Sequence, residues 1–384
     1  MSPGVRTGPL PRHAWPVLVA VLFVLSVVGL RWDVHTGFTS LLRFGDSFAA
    51  QRIPELSGLP VRTYPGIGYD GQFYSQLAVD PDVRRPEVQA ALDNPRYRAR
   101  RLLLPAMVHL AGAGNAWLTL QLFALVNVLV WLALGWLLWR RVGSQGWQGT
   151  GIWLACMLGM GALDCIRLAL TDLPAMLLVF LAVEAVERGR QLPALSALIA
   201  AVLVRDTSLL AATVAGSGNL RTSAAWRRYF LTGVIVALPF IVWSYWLLRT
   251  IPAGNTLGTG HFTWPGSAII TQFTNCSQAI LHGDFDSRFT FGLLAALSFT
   301  WQALFVLQRF SWEPAPWLRI ALPFALFVFV VGDPVWKGYW AVARTFLPLT
   351  FAYNLLLPRD RRFWSLLLIG NICTFHAIYR ILPD

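Results

Sequence analysis

The sequence predicts an all-α protein: a polytopic transmembrane helix bundle of about 11 spans. Hydrophobic residues make up 56% of the 384-residue chain and charged residues only 13%, whereas soluble proteins carry about 25% charged residues. The mean hydropathy is positive, at +0.54. Eighteen tryptophans and 24 phenylalanines suit aromatic belts at bilayer interfaces. These observations place the chain among integral membrane proteins.

The net charge of +12 is concentrated in short connections beside hydrophobic runs. Such clusters are typical of cytoplasmic loops, which are rich in arginine and lysine in membrane proteins. No basic stripe with interleaved aromatic residues occurs elsewhere, so we expect membrane lipids and no nucleic acid among the partners. The clusters are Arg140/Arg141, Arg188/Arg190, Arg221/Arg227/Arg228, Arg309/Arg319 and Arg359/Arg361/Arg362.

The sequence contains no recognisable cofactor or metal motif. Its four cysteines are scattered, with no C-x-x-C pair and no His/Cys cluster at metal-ligand spacing. It also contains neither a Walker sequence nor a G-x-G-x-x-G loop that would cradle a nucleotide. We therefore expect no metal and no cofactor, and an activated donor would have to be held by the membrane part itself.

The N-terminal half begins with a polar arm at residues 1–13, whose arginines predict a cytoplasmic N-terminus. The apolar run at 14–30 is followed by no small-x-small cleavage site, so we expect a retained first span. Residues 31–101 form a first outer loop. Residues 102–113 are apolar but too short for an ordinary span, which predicts a re-entrant or tilted half-helix.

The remaining spans are predicted from apolar runs separated by polar connections, within a single integral membrane domain over residues 1–384. The interruption at Arg205-Asp206 predicts a helix that ends there and a short helix that returns toward Arg221. Residues 249–288 are predicted to form a second outer loop, and the C-terminus is predicted outside. The runs are 115–139, 151–162, 168–186, 192–204, 229–248, 289–307, 318–331, 341–357 and 363–381.

The most informative segment is Gly68-Tyr69-Asp70-Gly71-Gln72-Phe73-Tyr74, in the first outer loop. Its glycines permit a tightly turned backbone that other groups can approach closely. Its aromatic residues can hold the loop against a membrane interface. In a chain so poor in charge, a carboxylate displayed in this way is a candidate general base. The alternative is a solvated turn that links two helices.

Charged residues from four separate segments are predicted to meet at the outer face. Each charge near membrane depth costs at least about 2.5–3.5 kcal/mol, so such residues usually face a cavity. Arginine and lysine in such a cavity can bind phosphate or pyrophosphate by charge-assisted hydrogen bonds. The residues are Asp164, Arg167, Asp172, Arg205, Asp206, Asp333, Lys337, Arg344 and the cluster Arg96/Arg98/Arg100/Arg101 beside Asp70.

Several of these charges also have a structural interpretation. Arg205 and Asp206 can form a local ion pair that caps two half-helices. Asp172 can be the N-cap of a helix, and Arg167 can reach lipid headgroups. The arginine cluster at 96–101 can begin a helix that binds headgroups.

Six segments together resemble bacterial glycosyltransferases of the GT-C type. More narrowly, they resemble a mannosyltransferase-like group that forms cell-surface glycopolymers. The resemblance extends in pattern over most of the chain, while strong motif identity is confined to these segments. They are Gly68–Tyr74, Asp80-Pro81, Tyr97–Pro105, Arg167–Ala175, Leu203–Leu209 and Ala343–Pro348.

The resemblance implies an inverting hexosyltransferase that takes a polyprenyl-phosphate sugar as donor and a glycan or lipid-linked acceptor. It places the reaction at the outer face of a bacterial cytoplasmic membrane, in cell-envelope glycan synthesis, with Asp70 as the essential acid. Many members of the wider class have two adjacent acids there, whereas Asp70 stands alone, which favours a metal-free mechanism. The position where relatives often have Arg-Glu reads Arg205-Asp206 and keeps both charges.

Arginines inside otherwise apolar segments are the first candidates to bind the donor phosphate, which gives Arg205 and Arg344. Lys337 and Arg167 come second, because they lie closer to loops. The predicted site is completed by Tyr69, Gln72, Tyr74, Arg101, Asp172 and Asp206.

A transporter or flippase for a polyisoprenyl-linked or other anionic lipid is the alternative from another class. It would use the same arginines without bond chemistry. Helices interrupted near membrane depth are common in transporters. The sequence shows no inverted repeat, which favours the enzyme.

Overall fold

The computed structural model describes residues 11–252 and 262–382. The chain is 74% helix and 2% strand, which fits the predicted all-α fold. Ten residues of the predicted arm at 1–13 and residues 253–261 of the predicted second outer loop lie outside the described residues.

The helices of the N-terminal half surround one long helix, α6, which packs against α2, α5, α7, α8 and α9. A ten-residue 3-10 helix, Asp206–Ala215, follows the last α-helix of this half. The α-helices are α1 (Trp15–Gly29), α2 (Asp70–Val79), α3 (Pro86–Ala90), α4 (Pro95–Ala99), α5 (Leu103–Gly112), α6 (Ala116–Val142), α7 (Gly146–Met157), α8 (Met160–Leu168), α9 (Asp172–Glu187) and α10 (Gln191–Val204).

The C-terminal half adds nine helices within the described residues. Here α14 packs against α13, α17 and the 3-10 helix, and α16 and α19 both pack against α8. The helices are α11 (Ser223–Thr250), α12 (Ser267–Leu281), α13 (Ser287–Gln308), α14 (Pro316–Val330), α15 (Asp333–Trp336), α16 (Tyr339–Thr345), α17 (Leu347–Leu356), α18 (Phe363–Gly370) and α19 (Thr374–Arg380).

Four helical segments are long and apolar enough to cross a membrane: Arg12–Gly29, Ala116–Met157, Ser223–Thr250 and Ser287–Gln308. Shorter apolar helices include α5, α10, α14 and α17. The expected count of about 11 spans is therefore not confirmed.

Several predicted spans are each broken into two short helices. The run at 341–357 is divided between α16 and α17, which meet at Phe346 just before Pro348. A proline lacks the backbone N–H that would continue the preceding helix and clashes with its last turn. The run at 363–381 is divided at 371–373, where Asn371 exchanges side-chain hydrogen bonds with Asn354 at 2.8 and 3.1 Å. Hydropathy alone does not reveal such breaks.

Two tryptophans join α6 to α7 in the core. The rings of Trp131 and Trp153 meet edge to face, with centroids 5.8 Å apart. Each indole N–H donates to a backbone carbonyl of the opposite helix, Met157 O and Gly135 O, both at 2.8 Å. A buried indole N–H is costly without a partner, so these bonds let both large rings be buried fully.

The long first loop is folded onto the helices. Strands β1 (Phe44–Gly45) and β2 (Thr63–Tyr64) pair in parallel, and α2 packs against α5 and α6. Gly45 and Gly68 lie so close that a Cβ on Gly68 would come within 2.4 Å of the Gly45 nitrogen. The loop therefore holds the Asp70 segment in a fixed place, and the interpretation of that segment as a solvated linking turn is wrong.

Candidate functional site

Asp70 is the first residue of α2 and lies between two arginines from distant parts of the chain. Its carboxylate is 3.0 Å from Arg98 Nη2 and 3.2 Å from Arg344 Nη1. The position at a helix N-terminus also favours a negative charge. The side chain keeps 20% of its surface exposed, so a ligand can reach a carboxylate that is otherwise enclosed.

Backbone contacts fix the orientation of this segment. The Tyr69 N–H donates to Arg43 O at 3.0 Å. The buried side chain of Gln72 accepts from the Gly45 N–H at 3.0 Å and donates to Ile67 O at 2.7 Å. Gln72, predicted as a site residue, therefore connects β1 to the turn that precedes Asp70.

Gly71→Ala tests how closely the start of α2 approaches the helix bundle. A Cβ at Gly71 would lie 2.4 Å from Leu168 O, a backbone atom that cannot rotate away. We expect this variant to be destabilised by about 1–3 kcal/mol, as in other overpacked cores, and to displace Asp70. Thermal unfolding in detergent measures the effect. Gly233→Ala is the control, because a Cβ there meets nothing within 4 Å.

The charges around Asp70 determine its protonation. Burial alone would favour the neutral acid, but Arg98 and Arg344 outweigh it and hold the pKa of the Asp70 carboxyl well below its usual range. Burial raises the pKa of the neighbouring Tyr69 to about 12. At neutral pH Asp70 is therefore a carboxylate and Tyr69 a protonated phenol, and Asp70 is the proton acceptor of the two.

One side of Asp70 continues into a buried polar network. Arg98 also pairs with Asp93 at 2.6 Å. The Tyr74 hydroxyl accepts from Arg101 Nη1 at 2.9 Å, and Arg101 pairs with Asp206 at 2.9 Å. Arg98 and Arg101 are buried and face inward, so the headgroup-binding interpretation does not describe them. The network brings predicted residues Tyr74, Arg101 and Asp206 into one chain of contacts with Asp70.

Arg205 and Asp172 form a second buried pair, with Arg205 Nη2 3.1 Å from Asp172 Oδ1. The predicted local ion pair of Arg205 with Asp206 is therefore wrong, because each residue pairs with a partner from another segment. The N-cap interpretation of Asp172 is also wrong: Thr171 is the N-cap, and Asp172 is the first residue of α9 and caps no backbone N–H of that helix. The charge of Asp172 acts on Arg344, which links this pair to the Asp70 site.

A cavity of about 490 Å³, which we call the basic cavity, lies beside Tyr69, the residue that precedes Asp70. Tyr69 lines it, and so does Arg167, the predicted phosphate ligand on α8. Sequence reasoning missed Arg43, Trp340 and Arg380. An arginine inside the last apolar segment was a usable signal for Arg380, whereas nothing in the sequence distinguished Arg43. The lining residues are Arg43, Tyr64, Pro65, Gly66, Ile67, Gly68, Tyr69, Arg167, Leu168, Trp340 and Arg380.

Lys337 is not brought into these contacts. It follows α15 in the short connection to α16, and its side chain is exposed. Within the described ranges it forms no ion pair and does not line the basic cavity. Its predicted contact with the donor phosphate stays a prediction.

A third feature is an apolar groove of about 270 Å³ between α5, α10 and α11. Five of its lining residues are Leu102, Leu103, Ala106, Leu203 and Pro239, and the other two are Trp243 and Arg100. The Arg100 charge acts on Asp206, so one residue of the groove lies near the buried network that leads to Asp70.

Comparisons with family models, with curated proteins and with solved structures find no match. Among residues 11–252 and 262–382, no three His, Cys, Asp or Glu side chains come together in a metal-binding group. A functional assignment therefore depends on the residues and their geometry.

Proposed function

We propose that this chain is an inverting glycosyltransferase of the GT-C type in a bacterial cytoplasmic membrane. It would transfer a sugar from a polyprenyl phosphate to a glycan or lipid-linked acceptor at the outer face. The observation that carries the proposal is the Asp70 carboxylate, which is accessible yet held between two arginines at 3.0 and 3.2 Å. A base beside cations suits the departure of a phosphate.

The reaction would be a single displacement at the anomeric carbon. The acceptor hydroxyl oxygen forms the new bond to that carbon and gives its proton to Asp70. The bond from the anomeric carbon to the phosphate oxygen breaks, and the polyprenyl phosphate leaves with the electron pair. Configuration at the anomeric carbon is inverted because attack and departure occur on opposite faces.

The low pKa of Asp70 has a consequence for this mechanism. A carboxylate held by two arginines is a weak base, and general-base catalysis works best when the pKa of the base lies near the working pH. A bound phosphate would compete for Arg344 and Arg98. Their weaker hold on Asp70 would then raise its pKa, so donor binding itself would activate the base.

The groove offers a place for the donor lipid. Its apolar lining suits a prenyl chain. Arg205 and Arg344 remain the first candidates for the phosphate near Asp70. Arg205 is buried and Arg344 is half-buried, and both already lie 3.2 Å or less from a carboxylate.

The test is to incubate the purified protein in detergent with a labelled polyprenyl-phosphate sugar and candidate acceptors. The proposal expects a labelled glycan product and an equal amount of free polyprenyl phosphate. Release of the lipid phosphate distinguishes an enzyme from a carrier, because a carrier leaves the donor intact. The acceptor-free reaction is the control for spontaneous hydrolysis.

A transporter or flippase is the competing proposal, and the broken helices α16/α17 and α18/α19 favour it. For this function the protein in liposomes would move the lipid-linked sugar between leaflets with its glycosidic bond intact. Leaflet exchange without lipid-phosphate release, across a panel of donors and acceptors, would replace the glycosyltransferase proposal.

A further inference from the structure

A separate cleft of about 250 Å³ lies where the C-terminal ends of α6 and α9 meet. Its lining is mostly charged, and we call it the arginine cleft. Asp172, which pairs with Arg205, begins α9, whereas Glu184 lies about three turns further along the same helix, roughly 18 Å away at the rise of an α-helix. The cleft is therefore separate from the buried network around Asp70. Its lining residues are Leu137, Arg140, Arg141, Glu184 and Arg188.

The acids at the cleft leave one of its arginines without an ion pair. Glu184 is shared by Arg141, at 3.0 Å, and Arg188, and its side chain is only 18% exposed. Arg141 also pairs with Glu187 at 2.5 Å. In the part of the chain that the structure describes, Arg140 forms no hydrogen bond or ion pair through its side chain. Three arginines thus exceed two acids, and the charge of Arg140 is available to a ligand.

Trp136 orders this arginine and indicates the depth of the cleft in the membrane. The Arg140 guanidinium lies 4.8 Å from the centroid of the Trp136 ring, so stacking fixes the guanidinium without neutralising its charge. The Trp136 side chain is 58% exposed, and tryptophans are enriched where a helix of a membrane protein passes from lipid into water. We therefore expect the cleft to lie at the level of the lipid headgroups.

Two stripes of side chains lead along the helices to the cleft, apolar at first and charged at their ends. Residues three or four positions apart share one face of a helix, and the members of both stripes are exposed or partly exposed. Since α6 packs against α9, the two stripes belong to neighbouring helices. An apolar surface that ends in an arginine matches a phospholipid, whose acyl chains adjoin a charged headgroup. The stripes are Leu129, Ala133, Trp136 and Arg140 on α6, and Leu177, Leu181, Glu184 and Arg188 on α9.

We propose that the arginine cleft binds the headgroup of an anionic phospholipid, with the acyl chains along the two stripes. Arg140 donates charge-assisted hydrogen bonds to the phosphate oxygens, and the apolar residues of the stripes cover the first part of the chains. A zwitterionic lipid carries a cation beside its phosphate, which the three arginines of the cleft repel. The cleft therefore selects headgroups with a net negative charge. The inference goes beyond the proposed glycosyltransferase function and does not depend on it.

The test measures equilibrium binding of phosphatidylglycerol and of phosphatidylcholine with the same acyl chains to the full-length protein in detergent. We expect the anionic lipid to bind about 10-fold tighter than the zwitterionic one. Arg140→Gln should weaken binding of the anionic lipid about fivefold, the usual contribution of one arginine near an anionic membrane surface, and leave the zwitterionic lipid as it is. Arg221→Gln is the matched control, because Arg221 is also exposed and stacks on Trp312 at 5.0 Å but does not line the cleft.

Equal affinities for the two lipids, or equal effects of the two variants, would overturn the inference. Glycerol 3-phosphate represents the headgroup without acyl chains, and competition by it at the same concentration as the lipid would show a site for free phosphate instead. A prenyl phosphate that binds more tightly than phosphatidylglycerol, with the same dependence on Arg140, would assign the cleft to another lipid and also overturn the inference. Thermal unfolding checks that Arg140→Gln is folded, and the comparison of the two lipids on the unaltered protein requires no variant.

Discussion

Asp70→Asn is expected to abolish glycan transfer, with a loss of about 10²–10⁴-fold, the usual contribution of a general base. The amide has nearly the same shape as the carboxylate but cannot take the proton of the acceptor hydroxyl. The measurement is the initial rate of lipid-phosphate release from a labelled donor. Near wild-type release by this variant would remove Asp70 from the mechanism.

Loss of the carboxylate also leaves Arg344 beside a neutral group, so folding has to be measured separately. Removing one partner of a buried ion pair typically costs about 3–5 kcal/mol. Asp70→Glu retains the charge and moves the carboxylate by one methylene, so it should remain folded and still lose most of its activity. Asp82→Asn is the control. It removes an exposed aspartate of the same loop that pairs with Arg84 at 2.7 Å, and it should keep both stability and activity.

Arg344→Lys is expected to lower the rate about 10- to 100-fold. This loss is somewhat smaller than the loss in other enzymes that have been deprived of a hydrogen-bond donor to the transition state. Lysine retains the charge but loses the planar group that can contact Asp70 and a phosphate together. The negative charge on the phosphate grows as the glycosidic bond breaks, so the loss should fall on kcat more than on KM.

The same arginine-to-lysine change at an exposed position is the control for Arg344→Lys. Arg84→Lys alters an arginine whose side chain is 68% exposed, and it should leave kcat and KM as they are. Arg205→Lys should be affected less than Arg344→Lys, because Arg205 contacts Asp172 and not Asp70. Full activity in both Arg344→Lys and Arg205→Lys would place the donor phosphate elsewhere.

The sequence predicted the helical class because hydropathy reports burial in lipid or protein directly. The predicted number of spans is not confirmed. Breaks such as those at Phe346 and Asn371 depend on a proline or on side-chain hydrogen bonds, and they leave the apolar character of the segment unchanged.

In the candidate site, single residues could be predicted from the sequence, but their contacts could not. Asp70 was identifiable because an acid between glycines is unusual in so apolar a chain, and Arg344 because an arginine in an apolar segment is costly. Their contact was not predictable, since it depends on how a loop and a late helix pack. Arg43 could not be identified from the sequence, because arginines are common in polar loops. Only the structure shows that it stacks on Tyr64 and lines the same cavity as Arg380.

The pair of Asp70 and Arg344 joins residues 274 positions apart in the chain. At a synthesis rate of about 5–20 residues per second, roughly 15–55 s pass between the two residues leaving the ribosome. During that time Asp70 has Arg98 as a nearby partner, while the second arginine does not yet exist. Chains that end before Arg344 therefore carry Asp70 with only one of its two arginine partners.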